Sequence, residues 1–178
     1  MAEEKTREEL LKEKLFYKKK NTFADAGDDY KKASFEYSEG YKKYLDASKT
    51  EREAVVTSIE MLKGCGFTEY TLGGHIEKGG KYYYNNRDKS LYAFQIGSEN
   101  VENGIRICAA HIDSPRLDLK QHPLYENEGF AYLKTHYYGG IRKYQWVAIP
   151  LAIHGVVTLG DGTNVDITVG EDENDPIF

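Results

Sequence analysis

The sequence predicts an α/β fold, and three observations carry that prediction. Helical patterns occupy the chain up to Gly66, strand patterns replace them after Phe67, and one run that ends continuously apolar leads straight into a histidine. The helices are taken first. Residues 5–20 are dense in Lys, Glu and Leu, and Leu11, Leu15 and Phe16 form a partial apolar stripe, which predicts an amphipathic helix. Residues 21–28 read as a break. Residues 29–46 are helical in pattern, with Phe35, Tyr37, Tyr41 and Tyr44 supplying aromatic bulk. The next helix is the clearest element. In Thr50-Glu51-Arg52-Glu53 the Thr hydroxyl can accept an orphan backbone N–H while Glu53 reaches back, a capping box. Val55, Ile59 and Leu62 follow on one face, and Gly64 and Gly66 supply the stop.

The strands come next. Lys81-Tyr82-Tyr83-Tyr84 and Leu91 to Ile96 flank an Asn- and Asp-rich turn, which predicts a hairpin. After a polar loop, Gly104 to Ala110 begins by alternating and ends continuously apolar. That pattern predicts a strand buried on both faces at its C-terminal end, with Cys108 as a small core residue. Residues 122–170 show no helical period. They hold Gly139-Gly140, strands rich in Tyr and Val, and a Gly160-Asp161-Gly162 turn before the alternating Val165, Ile167 and Val169. This stretch is expected to begin a second, all-β unit, with a boundary near residue 121. The apolar Ile177-Phe178 after Pro176 looks like the start of an element, so the sequence is expected to be the front part of a longer protein.

Composition excludes several classes of function. The 178 residues are 40% hydrophobic and 30% charged, a soluble globular balance. The net charge of -5 argues against general nucleic-acid binding, and Lys18-Lys19-Lys20 reads as a solvated helix face. Fifteen tyrosines against one tryptophan suit strands, half-buried surfaces and interfaces. Cys65 and Cys108 lack any paired spacing, which suggests a reducing compartment without a disulfide framework. Met1 to Lys5 holds no apolar leader core, and no run approaches the roughly 18 apolar residues of a membrane span. A cytoplasmic location is expected.

The chemistry concentrates at His111-Ile112-Asp113. A histidine at the C-terminal edge of a buried strand faces the place where open α/β sheets build their sites. Asp113 is near enough in a bent loop to approach the imidazole, and a metal-bound histidine commonly gives its second ring N–H to a carboxylate. Ser114-Pro115 stiffens the loop. From the residues alone, His111 reads either as a metal ligand or as a structural strand-end histidine.

The run Ala109-Ala110-His111-Ile112-Asp113-Ser114-Pro115-Arg116-Leu117 resembles the first metal-ligand motif of the M18 family of metallo-aminopeptidases, which includes aspartyl aminopeptidase and aminopeptidase I. Other segments match in order. Lys78 to Tyr84, with the strand ending at Ile96-Gly97, resembles the family's hairpin. Tyr138-Gly139-Gly140, with the aromatic cluster ending at Trp146, resembles its Tyr-Gly-Gly-Gly segment, and Glu171 to Phe178 is similar to a loop of bacterial members. The resemblance covers the chain from about residue 14 onward.

It implies the front part of a zinc-peptidase-like α/β/α sandwich over residues 1–120 and the start of an inserted all-β domain over residues 121–178. It further implies a two-zinc site that activates water for removal of an N-terminal residue from a peptide substrate, in a homo-oligomer. Carried over by position, His111 matches a metal ligand, and Asp113 matches the catalytic-site carboxylate that orients it. The family's remaining ligands and its general-base Glu would lie beyond residue 178, so the site is expected to be incomplete here. The alternative is a non-catalytic fragment or an oligomer-forming interaction module, since one imidazole cannot hold zinc firmly. The sequence departs from the family at Tyr144 to Ile149, where members carry a Trp-Phe-Asp-Arg-like run.

The remaining histidines carry no ligand-like spacing. His75 reads as a loop residue, and His122 and His136 belong in or near the β unit. His154, in an apolar run, reads as a β-unit residue. Glu171 to Asp175 lacks the register of a calcium loop and reads as a solvated acidic loop. Gly139-Gly140 is read as a tight bend and not as a phosphate loop.

Overall fold

The structure is a computed structural model and describes residues 5–178. Met1 to Glu4, part of the segment from which the lack of a leader core was read, lie outside the described residues. The fold class is α/β, as the sequence predicts. The chain divides into two compact units, residues 1–42 and 43–178. No helix among the described residues is long and apolar enough to cross a membrane.

The first unit holds α1 (Arg7–Leu15), α2 (Thr22–Asp25) and most of α3 (Asp28–Asp46). Helix α1 starts on a capping box in which Thr6 and Glu9 satisfy each other's orphan groups. It is shorter than the residue 5–20 pattern suggests, and its Leu11, Leu15 and Phe16 are exposed. The expected break at 21–28 contains the single turn α2, capped by the Asn21 side chain. Phe23 packs edge-on against Phe35 of α3, with ring centroids 5.8 Å apart.

In the second unit the end of α3 is followed by α4 (Glu51–Gly64). Its capping box is formed as expected: Thr50 Oγ1 accepts from the Glu53 N–H, and Glu53 Oε2 accepts from the Thr50 N–H at 2.9 Å. Helix α4 packs on a three-stranded sheet of β1 (Thr68–Glu69), β2 (Lys81–Asn86) and β3 (Ser90–Gln95). The hydrophobic core sits in this unit, at Ala54 and Val55 of α4 and Tyr83 of β2. β2 and β3 form the predicted hairpin, and Arg87 and Asp88 adopt the positive φ its turn requires. Asp is well suited to that conformation.

Two further hairpins follow. β4 (Arg116–Asn127) pairs with β5 (Phe130–Tyr138), and β6 (Ile153–Thr158) pairs with β7 (Asn164–Val169) around the predicted Gly160–Gly162 turn. β4 begins at Arg116 and runs through residue 121. Its pairing slips between Leu119 and Leu124, where His122 takes a φ of 50°. One helical turn, α5 (Lys143–Trp146), interrupts a stretch whose sequence shows no helical period.

The main correction concerns residues 104–110. They form no strand, and Ile105, Ile107 and Cys108 are exposed, so the expected buried strand and core cysteine are not found. An apolar run becomes a strand only when neighbours complete its ladder, and no described strand pairs with this one.

Candidate functional site

His111 lies in the irregular segment between the short 3-10 turn at Val101–Asn103 and β4. Its ring Nδ1 is 2.9 Å from the Asp113 carbonyl oxygen and 3.2 Å from Asp113 Oδ1. Both neighbours can only accept, so a neutral imidazole must carry its proton on Nδ1. Nε2 then bears the lone pair, on a side chain that is 82% exposed. The sequence expectation that Asp113 approaches His111 is met in this geometry.

Asp113 has a second partner. The Tyr138 hydroxyl donates to Asp113 Oδ2 at 2.9 Å. That bond, then the residue's own backbone N–H, hold the Asp113 carboxyl below the ordinary range; burial opposes them, and His111 adds a lesser lowering. The same contact raises the Tyr138 phenol, because ionising it would place a second negative charge beside Asp113. Behind Tyr138 stands Arg116. Its guanidinium carbon sits 4.1 Å from the centre of the Tyr138 ring. Its Nε donates to Asp118 Oδ1 at 2.7 Å, and its Nη1 lies 3.5 Å from Glu51 Oε2. Burial lowers the Arg116 guanidinium, but these carboxylates outweigh it and the net shift is upward.

Local folding explains why these residues meet. Arg116 and Tyr138 are paired at the open end of the β4–β5 hairpin, so the hairpin delivers Tyr138 beside the loop that carries Asp113. Gly139 follows with a φ of 78°, and a Cβ there would come within 3.4 Å of Pro115. The positive φ is what calls for glycine here, since the Pro115 contact by itself would be an ordinary one.

The donor set can be tested for zinc. A neutral imidazole with Nδ1 bound and Nε2 open suits one metal ligand. Zinc needs at least three protein ligands. Among the described residues no group of three or more His, Cys, Asp or Glu could hold a metal ion. The fit is therefore to one arm of a site.

A second cluster carries no sequence signal. His154 of β6, with its side chain only 13% exposed, lies between two carboxylates. Its Nδ1 is 2.7 Å from Glu53 Oε1, and its Nε2 is 2.9 Å from Glu171 Oε1. Lys49 also pairs with Glu171. Burial lowers the His154 imidazolium, but the hydrogen bonds it donates to Glu53 and Glu171 outweigh that and raise the group above its ordinary value. Lys49, then His154, lower the Glu171 carboxyl. The expectation that His154 is a β-unit residue holds. Glu171 stays exposed in the acidic loop while pairing with Lys49 and His154, and Asp172 and Asp175 accept backbone N–H groups within the loop. His154, Glu53 and Glu171 border a cleft of about 1260 Å³, and neither His111 nor Asp113 lines it.

The other histidines remain outside both clusters. His75 is exposed near Glu77, and His136 stacks on Tyr137.

The family model for aminopeptidase I zinc metalloprotease (M18) matches residues 44–178. A probable M18 family aminopeptidase 1 of Clostridium acetobutylicum is 48% identical over 163 residues, covering 89% of this chain and 35% of the relative. The crystal structure of aminopeptidase I from Borrelia burgdorferi B31 superposes with a TM-score of 0.83 at 39% identity, covering 89% of this chain and 39% of that one. The mApe1 dodecamer of S. cerevisiae shares the fold, with a TM-score of 0.65 at 21% identity, covering 77% of this chain and 34% of that one. The chain thus spans about a third of the length of the curated relatives it matches.

Proposed function

This chain belongs to the M18 family of aminopeptidase I zinc metalloproteases, and from that premise we propose that it is the front part of a metal-dependent aminopeptidase in which His111 is one zinc ligand. One observation carries the assignment. Asp113 engages His111 Nδ1 through two acceptors and leaves Nε2 open on an exposed ring. That is the tautomer a zinc-bound imidazole needs.

Zinc, when bound, polarises the scissile carbonyl and lowers the pKa of a bound water. The work of this chain's own residues is narrower. His111 offers Nε2, Asp113 fixes the Nδ1 proton and the ring plane, and Ser114-Pro115 stiffens the loop that holds both. The other ligands and the general base lie outside these 178 residues. The substrate is a peptide with a free amino terminus. Residues 1–120 belong to the catalytic domain, and residues 121–178 begin an inserted β domain. The complete enzyme is a cytoplasmic homo-oligomer.

The test is His111→Ala in the full-length enzyme. Metal content per chain is expected to fall and aminopeptidase activity to be lost. Unchanged metal stoichiometry in a folded variant would overturn the ligand assignment.

A further inference from the structure

We propose that Tyr138 is a positioning residue: its hydroxyl holds the Asp113 carboxylate, and through it the open-Nε2 tautomer of His111. The consequence for zinc rests on the ligand reading of His111, but the geometry does not.

Asp113 has two carboxylate oxygens with separate tasks. Oδ1 faces His111 Nδ1 at 3.2 Å, while Oδ2 accepts from Tyr138 at 2.9 Å. Without an anchor on Oδ2, a half-exposed Asp side chain keeps its freedom about the terminal torsion, which is broad and roughly two-fold. The Tyr138 hydroxyl removes that freedom. It can do so only if Tyr138 is itself fixed, and two contacts fix it. The β4–β5 ladder pairs it with Arg116. The Arg116 guanidinium covers one ring face at 4.1 Å. Arg116 is in turn held by Asp118 at 2.7 Å and by Glu51 of α4 at 3.5 Å. A planar guanidinium suits this stacked, two-carboxylate position and a lysine would not. The path from α4 to the His111 ring therefore runs through Glu51, Arg116, Tyr138 and Asp113. The Asp113 carbonyl, at 2.9 Å from Nδ1, is a second acceptor that Tyr138 does not control. Loss of Tyr138 should thus weaken the tautomer preference without abolishing it.

The test reads the tautomer directly, with no metal and no substrate. In the metal-free protein at about pH 8, where an ordinary imidazole is neutral, the ¹⁵N shifts of His111 report which ring nitrogen carries the proton. The wild type is expected to favour the Nδ1–H form. Tyr138→Phe is expected to reduce the ratio of Nδ1–H to Nε2–H about fivefold, the order of effect of one ordinary hydrogen bond, because the Tyr138 contact acts on the ring only through Asp113. Asp113→Asn should do at least as much, and adding Tyr138→Phe to it should change nothing further, because both act through one carboxylate. An unmoved ratio in Tyr138→Phe, or additive effects in the double variant, would overturn the proposal. If Tyr138→Phe does not fold, Arg116→Lys carries the test, since it leaves the hydroxyl in place and removes the stacked plane. It should shift the ratio in the same direction, and no shift would again overturn the proposal.

Failure here is distinct from failure of the zinc reading. A tautomer that follows Tyr138, in a protein whose His111→Ala variant keeps its metal, would leave the positioning role standing and remove the ligand role. Metal lost in His111→Ala, with a tautomer indifferent to Tyr138, would do the reverse.

Discussion

A single imidazole shows how far the environment decides a residue's role. His111 and His154 are the same group in opposite settings. The first is exposed and bound on one nitrogen, and the second is mostly buried and bound on both. His154 therefore works as a cation between Glu53 and Glu171. Its folded-state pKa is raised, so its contribution to stability is complete below the ordinary imidazole value and is lost as pH rises through the raised one. Glu171 is lowered, so its contribution is present above the ordinary carboxylate value and is lost as pH falls through the lowered one. Thermal stability is thus expected to peak on the mildly acidic side of neutrality. His154→Gln should flatten the decline on the alkaline side of that peak. Melting temperatures across pH for both proteins check this, and an identical alkaline decline in the variant would refute it.

At the scale of the element, α4 links local chemistry to more distant contacts. Its capping box orients Glu53 so that one carboxylate oxygen serves Thr50 and the other serves His154. Thr50→Ala is expected to cost about 1 kcal/mol, or about 2–4 °C in melting temperature for a chain of this size. Thr50→Ser should retain most of the stability, because it keeps the accepting oxygen. Equal melting temperatures for Thr50→Ala and wild type would show that the box contributes nothing. The β4–β5 hairpin plays the corresponding part for the candidate site, since its open end sets Tyr138 against Asp113.

For the molecule as a whole, the exposed apolar segment at 104–110 is the informative region. Ile105 is 66% and Ile107 is 76% exposed. Apolar surface left in water forgoes roughly 25 cal/mol per Å², and the chain spans 35% of the relative it matches at 48% identity. In a longer chain carrying this sequence, the amides of residues 105–110 are expected to be strongly protected from hydrogen exchange. Exchange there as fast as in an unstructured peptide would refute the expectation.

Features that depend on near neighbours are legible in the residues alone. The Thr50–Glu53 box, the Asn- and Asp-rich hairpin turn and the glycine turn before Val165 each involve groups a few residues apart, so spacing alone makes them legible. His111 and Asp113 were legible for the same reason, being two residues apart in one loop. Tertiary structure alone decided the rest. Tyr138 meets Asp113 across 25 positions, and His154 meets Glu53 across 101. No periodicity encodes those separations, because they arise from hairpin register and from the packing of one element on another. The segment at 104–110 makes the same point from the other side: its apolar residues were plain in the sequence, but a strand exists only where another strand completes its hydrogen bonds.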